Sequence, residues 1–247
     1  MAEHPFPVVG VGASAGGLAP LTQLISTLPP RPGLALIVVQ HLDPHHESRL
    51  GALLEPHTSM TVVDAIHGAK VEPDHIYVIQ PNTNVAIADG VLSVTMRPDG
   101  RRPHYPVDHF LRSLASVQGP YAVGVILSGT GSDGTLGVCE VKAAGGLTFA
   151  QDQSAQHLGM PESAIASGAV DLILPPPEIA ERLSALAQHP FVANGGAAEA
   201  RQEDPGEFQR VINALRRTSG VDFSQYRDTT IKRRTARRML LRGFVSP

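Results

Sequence analysis

A serine at position 14 stands in the run Gly12-Ala13-Ser14-Ala15-Gly16, which fits the pattern G-x-S-x-G. A serine on a tight strand-to-helix turn is exposed, and small neighbours let a substrate approach its hydroxyl. The helix start that follows supplies backbone N–H groups for developing negative charge. His41 ends a second apolar run. Asp133 follows a third, inside Ser128-Gly129-Thr130-Gly131-Ser132-Asp133-Gly134. Serine, histidine and aspartate are the residue types of a nucleophile, its base and the base's orienter. Singly, each has a plainer reading: a Gly-rich turn with a serine cap, a structural histidine, a Gly/Asp turn. Together, each falls just past the carboxyl end of an expected parallel strand, the edge where open α/β sheets bind ligands. The order Ser…His…Asp differs from the Ser…Asp…His of the α/β-hydrolases, so the same chemistry is expected on another topology.

The glycines admit a competing reading. Gly10-Val11-Gly12-Ala13-Ser14-Ala15 also fits the dinucleotide pattern G-x-G-x-x-G/A. That pattern wants an acid at the end of the second strand, to hold a ribose hydroxyl. Here that strand ends in Gln40-His41, and the first acid afterwards is Asp43, which weakens a nucleotide site. His41, His45 and His46 could be metal ligands, but Pro44 opposes a helical H-x-x-x-H face and no carboxylate pattern accompanies them. A calcium loop around Asp133 would have one carboxylate, too few. No metal and no cofactor is expected.

The elements that must position these residues follow from periodicity. Pro7–Val11 is a short apolar strand, and Leu18, Leu21, Leu24, Ile25 and Leu28 recur at helical spacing until Pro29-Pro30. Leu34–Val39 is a continuous apolar run, as in strands buried on both faces. Ile76–Ile79, Val85–Ala88 and Val91–Thr95 read as an antiparallel region, with Asp89-Gly90 as a hairpin turn. A helix through Val107, Phe110, Leu111 and Leu114 precedes a buried strand, Tyr121–Leu127. Another helix leads to Gly145-Gly146 and a strand at Leu147–Ala150. A helical stretch around Glu162–Ser167, a strand at Val170–Leu174 and a helix opened by Pro177 complete the alternation. The expected fold class is α/β: a doubly wound, mainly parallel sheet with an inserted antiparallel hairpin, plus a small C-terminal helical segment.

The 247 residues divide into a domain at 1–188, a Gly/Ala-rich linker at 189–205 and a helical tail at 206–247. Hydrophobic residues make up 42% and charged residues 17%, enough apolar material for a core and against general disorder. The apolar runs are too short to span a membrane, so no membrane insertion is expected. The start has no basic region followed by an apolar stretch, and the single cysteine excludes an internal disulfide; both suit a cytoplasmic location. From Glu207 onward, ten Lys/Arg face three Asp/Glu, a local balance of +7 that leaves −10 for the rest of a chain whose formal net charge is −3. An acidic body with a basic tail suggests two kinds of surface. The tail is either a solvated basic helix or a docking surface for an acidic partner. Nucleic acid is not the expected partner, because aromatics for stacking are few.

At this point the chain resembles a known family. Residues from about Phe6 to Gln188 resemble the catalytic domain of the CheB chemotaxis protein-glutamate methylesterases. The resemblance rests on Val11–Gly17, Val39-Gln40-His41-Leu42, His104-Tyr105-Pro106-Val107-Asp108, Val123–Gly134 and Gly159-Met160-Pro161, in the family's order. It implies Ser14 as nucleophile, His41 as general base and acid, and Asp133 as orienting carboxylate. Backbone N–H groups at Thr130 and Ala15 would line the oxyanion hole. The family often has Met at the first of these positions and Thr at the second, so a side-chain hydroxyl is missing at Ala15.

The tail from Asp222 to Met239 resembles the N-terminal helical subdomain of the CheR methyltransferases. That implies a receptor-docking helix carrying Lys232, Arg233, Arg234, Arg237 and Arg238. Methyl transfer is not expected, since the methyl-donor-binding domain lies further along in that family. Only about five residues precede the first strand, so a receiver domain is not expected either. The resemblance as a whole implies demethylation of glutamate γ-methyl esters on a methylated chemoreceptor, with deamidation of glutamine as a related activity. A non-catalytic receptor-docking module and a nucleotide-binding domain are the alternatives.

Overall fold

The computed structural model describes residues 6–40, 49–97, 104–189, 205–221, 228–242 and 244. Seven strands form one all-parallel sheet in the order β3-β4-β2-β1-β7-β8-β9. They are β1 (Val8–Ala13), β2 (Ala35–Gln40), β3 (Thr61–Asp64), β4 (His75–Val78), β7 (Ala122–Ile126), β8 (Leu147–Gln151) and β9 (Leu172–Leu174). The central strands β1, β2, β7 and β8 are buried almost throughout, as their unbroken apolar runs require of strands covered on both faces. Two core clusters result, one on each face. Alternate residues of β1 divide between them: Val9 and Val11 belong to the first, Val8 to the second.

On the first face lie α1 (Leu18–Thr27), α2 (Leu50–Leu54) and α6 (Pro176–Gln188), through Leu21, Leu24, Leu54, Ile179 and Leu183. On the second lie α3 (Pro106–Gln118), α4 (Thr135–Ala143) and α5 (Gly159–Ala166), through Phe110, Leu111, Val138, Val141 and Met160. Helix α1 therefore leaves β1 toward one face, while α4 leaves the adjacent β7 toward the other. That makes the β1/β7 junction the topological switch point, the place where open α/β sheets bind ligands at the carboxyl ends of the strands.

One expectation changes. The sequence groups Ile76–Ile79 with the antiparallel region, but β4 pairs parallel with β2 and β3. The antiparallel part is the separate hairpin β5 (Thr83–Ala88) and β6 (Val91–Met96). Its turn holds Asp89 at φ 50° and Gly90 at φ 75°, the two left-handed residues a type I′ turn demands. The edge strand β3, with exposed ends at Thr61 and Asp64, has too little apolar signal to be read from sequence. C-terminal to α6, the described residues include α7 (Pro205–Ser219) and α8 (Asp228–Arg242). No helix among the described residues is long and apolar enough to cross a membrane.

The glycines of β1 are explained by packing. A Cβ on Gly10 would come 2.5 Å from Leu111 Cδ2, and one on Gly12 would come 2.4 Å from Val107 Cγ1. Both lie within the strand and give room to α3, so the spacing that suggested a dinucleotide loop is used by a helix instead. Gly12→Ala should push back the first turn of α3 and destabilise the domain by about 1–3 kcal/mol. A lower urea midpoint with an unchanged slope would register this. An unchanged midpoint would mean that α3 is free to shift.

Candidate active site

Strand β1 ends at Ala13, and Ser14 follows it half-buried at the switch point. The turn is held from the neighbouring strand: Ser14 N–H donates to the Ser128 carbonyl at 3.0 Å, and Gly17 N–H donates to the Ser14 carbonyl at 2.9 Å. Gly16 has φ 68°, and a Cβ there would lie 2.9 Å from Ser128 Oγ, so this corner of the motif needs glycine on both counts. Gly129 is equally constrained. Its added Cβ would stand 2.2 Å from Met160 Sδ and 3.0 Å from Ser14 Cβ.

Ser128, fully buried, ties three segments together. Its hydroxyl donates to the Ala15 carbonyl at 2.9 Å and accepts His157 N–H at 3.0 Å. Its own N–H donates to Gln151 Oε1 at 2.9 Å. The Gly129 N–H and carbonyl are taken by the His157 carbonyl and the Met160 N–H, at 3.0 and 2.9 Å. The Ser14 turn, the loop after β7 and residues 157–160 thus form one hydrogen-bonded unit. Ala15 and Thr130 are exposed at its surface, and among the described residues neither N–H has a hydrogen-bond partner.

Asp133 closes the loop and is only 3% exposed. Its Oδ2 accepts Val107 N–H at 3.0 Å and its Oδ1 accepts Asp108 N–H at 2.9 Å. These are orphan donors of the first turn of α3. Pro106 has no N–H, and His109 N–H returns to the Tyr105 carbonyl at 3.0 Å, so residues 106–109 leave no donor without an acceptor. Asp108 does the reverse. Its Oδ1 accepts Gly137 N–H at 2.8 Å, in the first turn of α4, directly after Asp133. Two carboxylates therefore cap each other's helices, each at a positive helix end. Burial pushes the Asp108 carboxyl above its ordinary value. The Gly137 amide opposes this, the charge of Asp133 adds to it, and the amides of Gly134 and Leu136 oppose it in turn.

Strand β2 ends at Gln40, in register with Ala13. The next residue, His41, lies outside the described residues, as do His45 and His46. Among the described residues no group of three or more His, Cys, Asp or Glu is arranged to hold a metal ion. Ser14 and Ala15 follow β1, and the loop carrying Thr130 and Asp133 follows the adjacent β7, so all four lie past the carboxyl ends of neighbouring parallel strands. Of the tail residues, Arg234 and Arg238 are exposed. Arg237 is not: its guanidinium lies 2.6 Å from Asp171 of the first domain. The side chains of Lys232 and Arg233 lie outside those described. Sequence reading gave no role to Asp108, Ser128 or Gln151. Asp108 belongs to the run His104-Tyr105-Pro106-Val107-Asp108, but a carboxylate in a first helical turn looks like a cap for its own helix.

The fold and the crevice define a doubly wound parallel α/β domain with a serine at its switch point. Residues 9–183 match the family model described as CheB methylesterase, and residues 206–247 match that of the CheR methyltransferase all-alpha domain. The chain belongs to the CheB methylesterase family. It is 35% identical over 183 residues to a protein-glutamate methylesterase/protein-glutamine glutaminase of Photorhabdus laumondii, covering 72% of this chain and 52% of that one. A protein of the same name from Paraburkholderia xenovorans is 36% identical over 180 residues, covering 71% and 49%. The chain thus spans about half the length of these relatives. The crystal structure of the Thermotoga maritima CheB methylesterase catalytic domain superposes with a TM-score of 0.68 at 31% identity, covering 73% of this chain and 98% of that one.

The crossed caps carry a prediction. Asp108→Asn keeps an acceptor oxygen and removes the buried charge. Because the folded carboxyl titrates above its ordinary value, it favours the native state most below ~3.9 and loses that contribution as pH rises through the raised value. The variant lacks this decline. Its melting temperature relative to wild type should therefore increase from acid toward neutral pH, followed by circular dichroism. A difference independent of pH would contradict the assignment.

Proposed function

We propose that this chain is a serine esterase that hydrolyses γ-glutamyl methyl esters on a methylated chemoreceptor, giving glutamate and methanol. The observation that carries this reading is that a half-buried Ser14, the doubly held carboxylate of Asp133 and the N–H groups of Ala15 and Thr130, which have no partner among the described residues, all follow the adjacent strands β1 and β7 at the switch point. Membership of the CheB methylesterase family and the names of the relatives support the same substrate class.

In this reading His41 removes the Ser14 proton while Asp133 orients the imidazole. Ser14 Oγ attacks the ester carbonyl, and the tetrahedral oxyanion is stabilised by the N–H groups of Thr130 and Ala15. The C–OCH3 bond breaks, and methanol leaves with the proton from His41. Water, deprotonated by His41, then attacks the acyl-enzyme and returns Ser14 with a free glutamate. A glutamine side chain would follow the same path with ammonia as the leaving group, which is the glutaminase activity in the relatives' names. Each oxyanion donor is expected to contribute about 100- to 1000-fold in kcat. For the tail we propose receptor docking through Lys232, Arg233, Arg234 and Arg238.

Methanol release from a methylated receptor should fall by more than about 10⁴-fold in Ser14→Ala with the fold intact. Retained turnover would refute the nucleophile. In wild type, kcat/KM should decline below a histidine pKa of ~6.5 as the base is protonated, and a flat profile from pH 5 to 8 would exclude a histidine base. Replacing the four docking cations by alanine should weaken receptor binding most at low ionic strength, with the difference vanishing near 1 M salt. Equal affinities at low salt would make those charges a solvated face.

A further inference from the structure

Asp171 lies immediately ahead of β9, at the amino-terminal edge of the sheet, with its side chain 5% exposed. Thr148 N–H donates to its Oδ2 at 3.1 Å, and the Thr148 hydroxyl lies 3.0 Å from the same oxygen. Lys142 Nζ is 3.4 Å from Oδ1, but that side chain is 36% exposed and also donates to the Gly168 carbonyl at 3.0 Å. A buried carboxylate needs closer compensation than that. Arg237 of α8 supplies it: Nη2 lies 2.6 Å from each carboxylate oxygen, and Nε donates to the Gly146 carbonyl at 3.1 Å. A guanidinium fork shared between a carboxylate and a fixed carbonyl has one direction of approach, unlike a drifting surface pair.

The same helix is held at other points. Leu241, one turn beyond Arg237, packs against the core cluster that contains α1 and α6 residues. Farther on, the Phe244 carbonyl lies 2.9 Å from His189 Nε2, just past the end of α6. Ile231 of the same helix is 6% exposed. Gly146 and Asp171 both precede parallel strands, whereas Ser14, Thr130 and Asp133 all follow parallel strands. At about 3.3 Å per residue, the five residues of β8 put these two edges roughly 16 Å apart.

We propose that Asp171 and Arg237 form an intrachain latch that docks the CheR-like helix on the amino-terminal edge of the esterase sheet, leaving the catalytic crevice at the opposite edge uncovered. The latch makes Arg237 a tie between the two parts of the chain and takes it out of the receptor-docking set. The latch stands on the contacts alone, while the uncovered crevice rests on the esterase reading.

Hydrogen–deuterium exchange on the full chain tests it. In Arg237→Ala, amides of residues 231–242 should exchange at least about 10-fold faster than in wild type, while those of β1 and β7 stay protected. Asp171→Asn should loosen the same helix, and adding it to Arg237→Ala should produce no further rise. Methanol release from a small methyl ester should stay within about twofold of wild type. Equal exchange of the helix in wild type and Arg237→Ala, or strictly additive effects of the two substitutions, would overturn the latch. A several-fold rise in ester turnover on release of the helix would overturn the uncovered crevice. The exchange readout decides the latch even if the chain proves to have no esterase activity.

Discussion

The two hydrogen bonds from the Val107 and Asp108 amides to the Asp133 carboxylate join the site to the fold. An ionised carboxylate that is 3% exposed is costly unless donors surround it. The first turn of α3 has the complementary problem, since its N–H groups need acceptors outside the helix. Each solves the other's difficulty. Asp108 repeats the exchange in the opposite sense by accepting from α4. The loop after β7 therefore cannot drift without uncapping both helices, and the carboxylate is held in direction as well as in place.

This arrangement depends in turn on close approach. Helix α3 reaches Asp133 because Gly10 and Gly12 present no side chain to Leu111 and Val107. On the far side of the loop, Gly129 lets Met160 and the Ser14 turn come together. The Ser128 hydroxyl bridges the Ser14 turn and residue 157. The glycine-rich sequence thus reflects helices and loops packed almost backbone to backbone around one crevice. The C-terminal helix sits at the other edge of the same sheet, where Asp171 takes its guanidinium. Each end of the parallel sheet thus holds a buried carboxylate, Asp133 satisfied by backbone amides at one and Asp171 by the guanidinium of Arg237 at the other.

Much of this is legible in the sequence. The apolar runs at Pro7–Val11, Leu34–Val39 and Tyr121–Leu127 announced strands of the sheet, and Asp89-Gly90 announced the hairpin. Ser14 and Asp133 could be singled out by residue type and by their place after strands. The edge strand Thr61–Asp64 could not, because half of its residues face water and alternation over four residues carries little information. Ile76–Ile79 was placed with the hairpin that follows it, and only its pairing with β2 shows its allegiance to the parallel sheet. Asp108 was invisible as a counter-cap, since its acceptor serves a helix that begins 27 residues later.

What the sequence determined by itself is what depends on near neighbours: strand and helix periods, the turn at Asp89-Gly90, a serine on a tight glycine corner, and a basic surplus after Glu207. Those signals act over a few residues, so they survive without the fold. Which carboxylate caps which helix, and which arginine is withdrawn from solvent, were decided by tertiary structure. Arg237 and Asp171 are 66 positions apart, and their pairing depends on distance in space and on the removal of water, neither of which a linear pattern records.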